Sequence, residues 1–296
     1  MKRFLEGSLY PAKWYQDSLS RNYDYFERLL EVETEIETND GSKNTIYVRD
    51  HDNSYNLSDG IILSVYTYNN FETVKLQFEM FNKNINNFNG KYVVFYFDDS
   101  TDLEVAKKIR DFVTSNNQIY VKIPRIAKNK KIYYHNQSLN YSWYKVLQYI
   151  PAKYFGLLDH DIFPIRKIVD FESKLKGYPV YCKKGDIDLP DYDNRVWYPW
   201  PGFFFFHKDV IKEFNFFFDR VCIDYQWYIM DTGGAMFRSN FMNDNINTNI
   251  KFANIELPEE GYYPEYIDNS WVHLGDLSNW SGTNDEDKLK FIKDNF

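Results

Sequence analysis

The sequence predicts an α/β protein with a mostly parallel central sheet, Rossmann-like, flanked by helices. Three observations carry this expectation. From Gly60 onward, short β-rich apolar runs alternate with segments whose apolar residues recur every three or four positions. The connections are short, so successive strands are expected side by side with a helix crossing between them. The apolar run Tyr154 to Leu158 then stops at two carboxylates, Asp159 and Asp161, before apolar residues resume at Ile162.

Each element follows from its pattern. Ile61 to Tyr66 reads as a strand, and Val74, Phe78, Phe81 and Ile85 share one helical face. Lys91 to Phe97 is the second strand. Asp98 to Thr101 supply a loop and helix cap, followed by a helical face of Val105, Ile109 and Phe112. Ile119 to Ile123 is the third strand. After a basic, polar connection, Trp143, Val146, Leu147 and Ile150 mark a helix stopped by Pro151, and Tyr154 to Leu158 is the fourth strand. Later, Tyr178 to Cys182, Phe203 to Phe206 and Trp271 to Leu274 read as strands and Lys208 to Phe218 as a helix. Residues 1–56 are expected to form an extension packed on a main domain of 57–296. That extension reads as a helix around Ser18 to Glu37 with an acidic side, then a short strand at Thr45 to Val48.

Composition narrows the function. A chain of 296 residues can bury a sizeable core. Its formal net charge of -8 argues against nucleic-acid binding, which usually needs a basic face. No apolar run reaches the ~18 residues of a membrane span, and Met1 to Trp14 lacks the apolar stretch of a signal peptide, so a cytoplasmic location is expected. Cys182 and Cys222 fit neither a disulfide framework nor a zinc site. Aromatic residues make up 20% of the chain, but the accompanying Asn, Lys and Ile are what an AT-rich genome encodes, so this figure does not establish sugar binding.

The carboxylates at 159 and 161 are the chemical signal. Beside Leu157, Leu158, Ile162 and Phe163 they sit against the core, where an unpaired charge is costly. In an extended tripeptide the first and third side chains leave on the same side, so both could approach one hard cation such as Mn²⁺ or Mg²⁺. Asp50, His51 and Asp52 repeat the tripeptide among polar neighbours and read as solvated loop charges. In open α/β sheets ligands bind beyond the carboxyl ends of the strands. Those ends are Thr67 to Asn69, Asp98 with Asp99, and Asp159 to Asp161, all expected on one rim.

Over residues 57 to 280 this series resembles the GT-A glycosyltransferases, in which an Asp-X-Asp motif, here Asp159, His160 and Asp161, binds the metal that bridges the donor diphosphate. Trp200, Pro201, Gly202 and the strand Phe203 to Phe206 resemble the element beneath the donor sugar. Asp231, Thr232, Gly233 and Gly234 resemble the acidic loop near the acceptor. Trp271 to Gly275 with Trp280 resemble the late strand of the glycogenin-like branch, where a histidine completes the metal shell. That branch has Lys-Pro before its final Trp, whereas this chain has Ser278 and Asn279.

The resemblance implies Asp161 and His273 as metal ligands, with Asp159 a ligand or a holder of the donor ribose. Asp231 is the candidate base, with Asp224 in reserve, although Asp-Thr-Gly is also a common turn or cap. Tyr66 or Tyr68 would stack on the base, and Thr67, Asp98, Asp99 and Gly202 would line the donor site. His51, His135, His160 and His207 receive no role. The implied partners are a UDP- or GDP-linked sugar and a glycan or other hydroxyl acceptor. A carbohydrate-binding protein without turnover and a metal-dependent phosphohydrolase stay open as alternatives.

Overall fold

The structure, a computed structural model, describes residues 35–37, 43–45, 57–85, 92–124, 134–168, 171–187, 196–212, 214, 216–219, 221–223, 228–236, 250–258, 264–275 and 285–296. Among the described residues, the framework is a nine-stranded mixed sheet whose centre is parallel. Strands β1 (Glu35–Glu37), β2 (Lys43–Thr45), β3 (Leu57–Thr67), β4 (Tyr92–Asp98) and β5 (Ile119–Lys122) precede β6 (Ala152–Asp159), and β6, β3, β4 and β5 lie parallel in that spatial order.

Burial explains the order. Ile61, Ile62, Leu63 and Val65 are fully buried, as expected for a parallel strand covered on both faces. Alternate residues enter different cores. Ile61, Leu63 and Val65 pack with Val74, Phe81 and Ile85 at helix α1 (Phe71–Asn84) and with Ile109 and Val113 of α2 (Leu103–Ser115). Ile62 and Tyr66 face the other way, against Leu139, Tyr141 and Trp143 of α3 (Tyr134–Lys145). Asp102 caps α2, accepting from the amides of Glu104 and Val105, one position beyond the expected loop.

After β6 the chain turns through His160 and Asp161 into β7 (Ile162–Pro164), then α4 (Phe171–Leu175), β8 (Val180–Ile187) and β9 (Val196–His207). Strand β9 runs antiparallel between β6 and β8. Gly156 lets it lie flat, because a Cβ there would stand 2.5 Å from the Phe205 ring. Strands β10 (Val221–Ile223) and β11 (Tyr228–Met230) form a ribbon, and β12 (Ile250–Phe252) extends the main sheet beside β8. A second antiparallel sheet takes β13 (Ile255–Glu256), β14 (Glu265–Ile267), β15 (Trp271–His273) and β7 in that order. Leu289 and Ile292 of α5 (Asp285–Asn295) pack against it with Phe163 and Val272.

Three expectations are corrected. Residues 35–37, placed at the end of an acidic helix, form β1, which pairs with β2 and β5 at the sheet edge. Among the described residues, the segment Lys208 to Phe218 is helical over Lys208–Lys212, as a 3₁₀ turn, and Phe214, Phe216 and Phe218 then enter the core individually. The helix before β6 begins at Tyr134, inside what read as a polar connection, and ends at Lys145 before a 3₁₀ turn over Leu147–Tyr149. Among the described residues, no helix is long and apolar enough to cross a membrane.

Candidate functional site

The rim formed by the ends of β3, β4 and β6 gathers the predicted residues, but sorts them into different tasks. Asp159 ends β6 and Asp161 lies in the turn to β7. Gln77, fully buried on α1, pins that turn by donating to the carbonyls of Asp159 (3.0 Å) and Ile162 (2.8 Å). His160 points back into the protein, its Nδ1 3.0 Å from the carbonyl of Tyr66. With the middle residue held inward, the two aspartates diverge.

Asp161 goes to the second sheet. Strand β15 pairs with β7 so that His273 faces Ile162, and the amide of Leu274 donates to the carbonyl of Asp161. His273 Nε2 then stands 3.6 Å from Asp161 Oδ2, both side chains over nine-tenths buried. Asp161 Oδ1 is buried and, among the described residues, accepts no hydrogen bond. Burial would raise its pKa, but His273 and then His160 outweigh burial and hold the carboxyl far below the usual carboxylate range. Glu265 accepts from His273 Nδ1 at 2.6 Å, and Lys183 pairs with the same oxygen of Glu265.

Asp159 faces His135, at the start of α3, with Nε2 and Oδ1 3.1 Å apart. Burial lowers the basicity of His135, but Asp159, then Asp231 and Asp161, outweigh it, so its pKa is raised. The imidazole therefore lies in the field of all three site carboxylates. The other oxygen of Asp159 overlies Gly202, where a Cβ would stand 2.4 Å from Oδ2 and 2.5 Å from the end of the Trp200 ring. Gly202→Ala is expected to displace the Asp159 carboxylate and cost about 1–3 kcal/mol of stability by overpacking. Equilibrium urea unfolding of the variant reads the cost.

Asp231 stands half-buried ahead of a tight turn. Its Oδ1 accepts from Thr232 Oγ1 at 3.2 Å, and its carbonyl accepts from the amide of Gly234 at 2.7 Å. Gly233 presses that turn onto β9, since a Cβ there would lie 1.9 Å from the carbonyl oxygen of Pro199. The loop is thus held beside the strand that carries Gly202.

Asp98, Thr67 and Tyr66, three more of the predicted contacts, are held inside the protein. Asp98 is fully buried, and its oxygens accept from Thr67 Oγ1 (3.2 Å), the Ser100 amide (2.9 Å), Ser100 Oγ, Tyr120 OH (2.7 Å) and Lys122 Nζ (3.2 Å). The structure gives Asp98 and Thr67 the task of tying three strand ends together. Tyr66 is buried, stacked on Phe97, with its hydroxyl 2.6 Å from Ser142 Oγ, and burial pushes the phenol far up. Tyr68, whose hydroxyl meets Thr101 at 3.4 Å in an exposed contact, is the tyrosine at the surface of the rim. Asp224, Ser278, Asn279, Trp280, Asp50, His51 and Asp52 lie outside the described residues.

The predicted metal trio is therefore divided. Asp161 and His273 come together, Asp159 turns to His135, and among the described residues no three His, Cys, Asp or Glu side chains gather as a ready-made metal cluster. Sequence reasoning missed His135, Glu265, Lys183 and Gln77. For Glu265 no local pattern existed, because only the pairing of β14 with β15 sets it opposite His273.

A pH dependence follows. Burial pushes His273 down, but Asp161 and Glu265 outweigh it and raise the imidazole to about 9. A folded-state value above the unfolded one stabilises the fold fully below pH ~6.5, and that contribution is lost as pH rises through ~9. About 3 kcal/mol is at stake for a shift of this size. Thermal unfolding without added metal should show the midpoint falling across that window.

No family model matches the sequence, and no curated protein matches it. Solved structures show partial likenesses. One is the mannosyltransferase PcManGT from Pyrobaculum calidifontis in complex with GDP-Man and Mn²⁺, at 12% identity and a TM-score of 0.33, covering 67% of this chain and 54% of that one. This chain thus spans about half the length of that enzyme. Another is the mannosyltransferase Ktr4p from S. cerevisiae, at 15% identity and a TM-score of 0.36, covering 71% of each chain. A third is A197 from STIV, at 12% identity and a TM-score of 0.29, covering 73% of this chain and 95% of that one. At identities and TM-scores this low, none of them assigns a role to a residue here.

Proposed function

We propose that the protein is a metal-dependent glycosyltransferase of the GT-A type, moving a sugar from a nucleoside diphosphate donor to a hydroxyl of a glycan or similar acceptor. The observation that carries this reading is Asp161 Oδ1, a buried carboxylate oxygen with no hydrogen bond among the described residues, beside His273 just beyond the end of β6. A buried acceptor is costly unless something positive meets it.

A divalent ion such as Mn²⁺ or Mg²⁺ fits these residues. The 3.6 Å between Asp161 Oδ2 and His273 Nε2 is long for a hydrogen bond. Two ligands of one ion, each about 2.1 Å from it, lie roughly 3–4 Å apart. Hard cations of this kind often take only one or two protein carboxylates, leaving other positions to substrate phosphates and water. When bound, the ion would neutralise charge developing on the departing diphosphate.

The chain's own residues supply the rest. Asp161 and His273 would hold the ion. Asp159, steadied by His135 and uncrowded by Gly202, would receive hydroxyls of the donor. Asp231, held near β9 by Gly233, would take the proton of the acceptor hydroxyl. Isothermal titration of UDP and GDP with and without Mn²⁺ tests the reading. Binding of one of them that strengthens with Mn²⁺ supports it, whereas a folded protein that binds neither with the metal present contradicts it. Release of inorganic phosphate from simple phosphoesters would favour hydrolysis over transfer.

A further inference from the structure

We infer that Glu265, backed by Lys183, is a positioning residue that fixes which nitrogen of His273 is offered to a divalent cation at Asp161. The inference rests on the metal site proposed above and adds a residue outside it.

A carboxylate only accepts, so the 2.6 Å contact from Glu265 Oε2 assigns a hydrogen to His273 Nδ1. The nitrogen left to face Asp161 is Nε2. A cation can bind only a nitrogen that has given up its proton, and without Glu265 the remaining hydrogen could sit on either nitrogen and the ring could turn. A carboxylate behind a ligating imidazole removes both freedoms and makes the ligand more basic.

The surroundings restrict Glu265 as tightly. It lies opposite His273 in the β14–β15 register, and its side chain is 14% exposed. Lys183, from β8 of the main sheet and also 14% exposed, pairs with Glu265 Oε2 and lies 4.4 Å from the centre of the Trp200 ring. Trp200 in turn stands 4.8 Å from the His273 ring, centre to centre. The imidazole is thus held at Nδ1 by charge and flanked by an indole that Lys183 also contacts. Lys183 and Glu265 join the two sheets at the point where the ligand must be aimed. Along Asp161, His273, Glu265 and Lys183 the acidic and basic groups alternate, so Glu265 can remain ionised in a largely buried place.

The test is Mn²⁺ affinity, read from the electron paramagnetic resonance of free Mn²⁺, in full-length protein whose folding is checked by thermal unfolding. Glu265→Ala should weaken binding roughly 10–100-fold. Glu265→Gln, whose amide oxygen can still accept from Nδ1, should recover most of the loss. In a His273→Ala background, Glu265→Ala should add nothing, because Glu265 acts through the imidazole. Should Glu265→Ala alone unfold the chain, Lys183→Met with Glu265→Gln removes both charges together and keeps the acceptor, and it should bind Mn²⁺ within a few-fold of the parent. Unchanged affinity in folded Glu265→Ala, or losses from positions 265 and 273 that simply add, would overturn the inference while leaving the metal site standing. A parent protein that binds no Mn²⁺ would overturn both.

Discussion

Asp161→Asn is expected to lower Mn²⁺ affinity by at least about 100-fold and to remove the metal-dependent part of nucleotide binding, while Asp159→Asn weakens the metal far less. The difference comes from the turn. Asp161 is held over His273 with one oxygen that meets no partner among the described residues, whereas Asp159 faces His135 with one oxygen and places the other against Gly202. The same substitution should flatten the pH dependence of stability. His273 is held up at about 9 first of all by Asp161, so losing that charge moves the imidazole back toward its ordinary value. Titration calorimetry and thermal unfolding across pH 6.5–9 on both variants would separate the two aspartates. Equal loss of metal binding at 159 and 161 would show that the division seen here does not persist once substrate is bound.

Asp98→Ala is expected to damage the fold strongly, costing about 3–5 kcal/mol through buried donors left without their acceptor, with little effect on nucleotide affinity in the protein that remains folded. Among the described residues, five donors converge on this wholly buried carboxylate from β3, β5 and the loop after β4. Removing it leaves the hydroxyls of Thr67 and Tyr120 without that acceptor inside the protein. Lys122 is 32% exposed, so its share is screened and small. Equilibrium urea unfolding gives the energy. A stable variant with weakened nucleotide binding would instead make Asp98 a donor contact.

The parallel heart of the sheet was legible because central strands buried on both faces are continuous apolar runs, and because Val74, Phe78, Phe81 and Ile85 mark the buried side of α1. Helix α3 was not. Asn136, Gln137, Ser138, Asn140 and Ser142 look like a solvated loop, yet all are buried. Their partners are distant in sequence. Asn140 exchanges hydrogen bonds with both backbone groups of Phe218, and Asn136 donates to Asp219. No spacing rule reveals such pairs, and His135 was overlooked with the helix that carries it. The acidic residues at 31, 33, 35 and 37 alternate with a period of two, a strand signal that was read as one side of a helix, and residues 35–37 are a strand. The aspartate pair was visible from its apolar frame. That its members would part company depends on Gln77 of α1 and on the Tyr66 carbonyl that meets His160, which hold the turn from elsewhere in the fold.

The central claim is that Asp161 and His273 together hold a divalent cation that meets a nucleoside diphosphate. Anomalous diffraction from crystals soaked with Mn²⁺ and GDP or UDP tests it most directly. A manganese peak in contact with Asp161 and His273 Nε2, with diphosphate oxygens completing its shell, is the predicted result. Diphosphate bound on the rim with no metal at Asp161, or manganese held only by residues elsewhere, would contradict it.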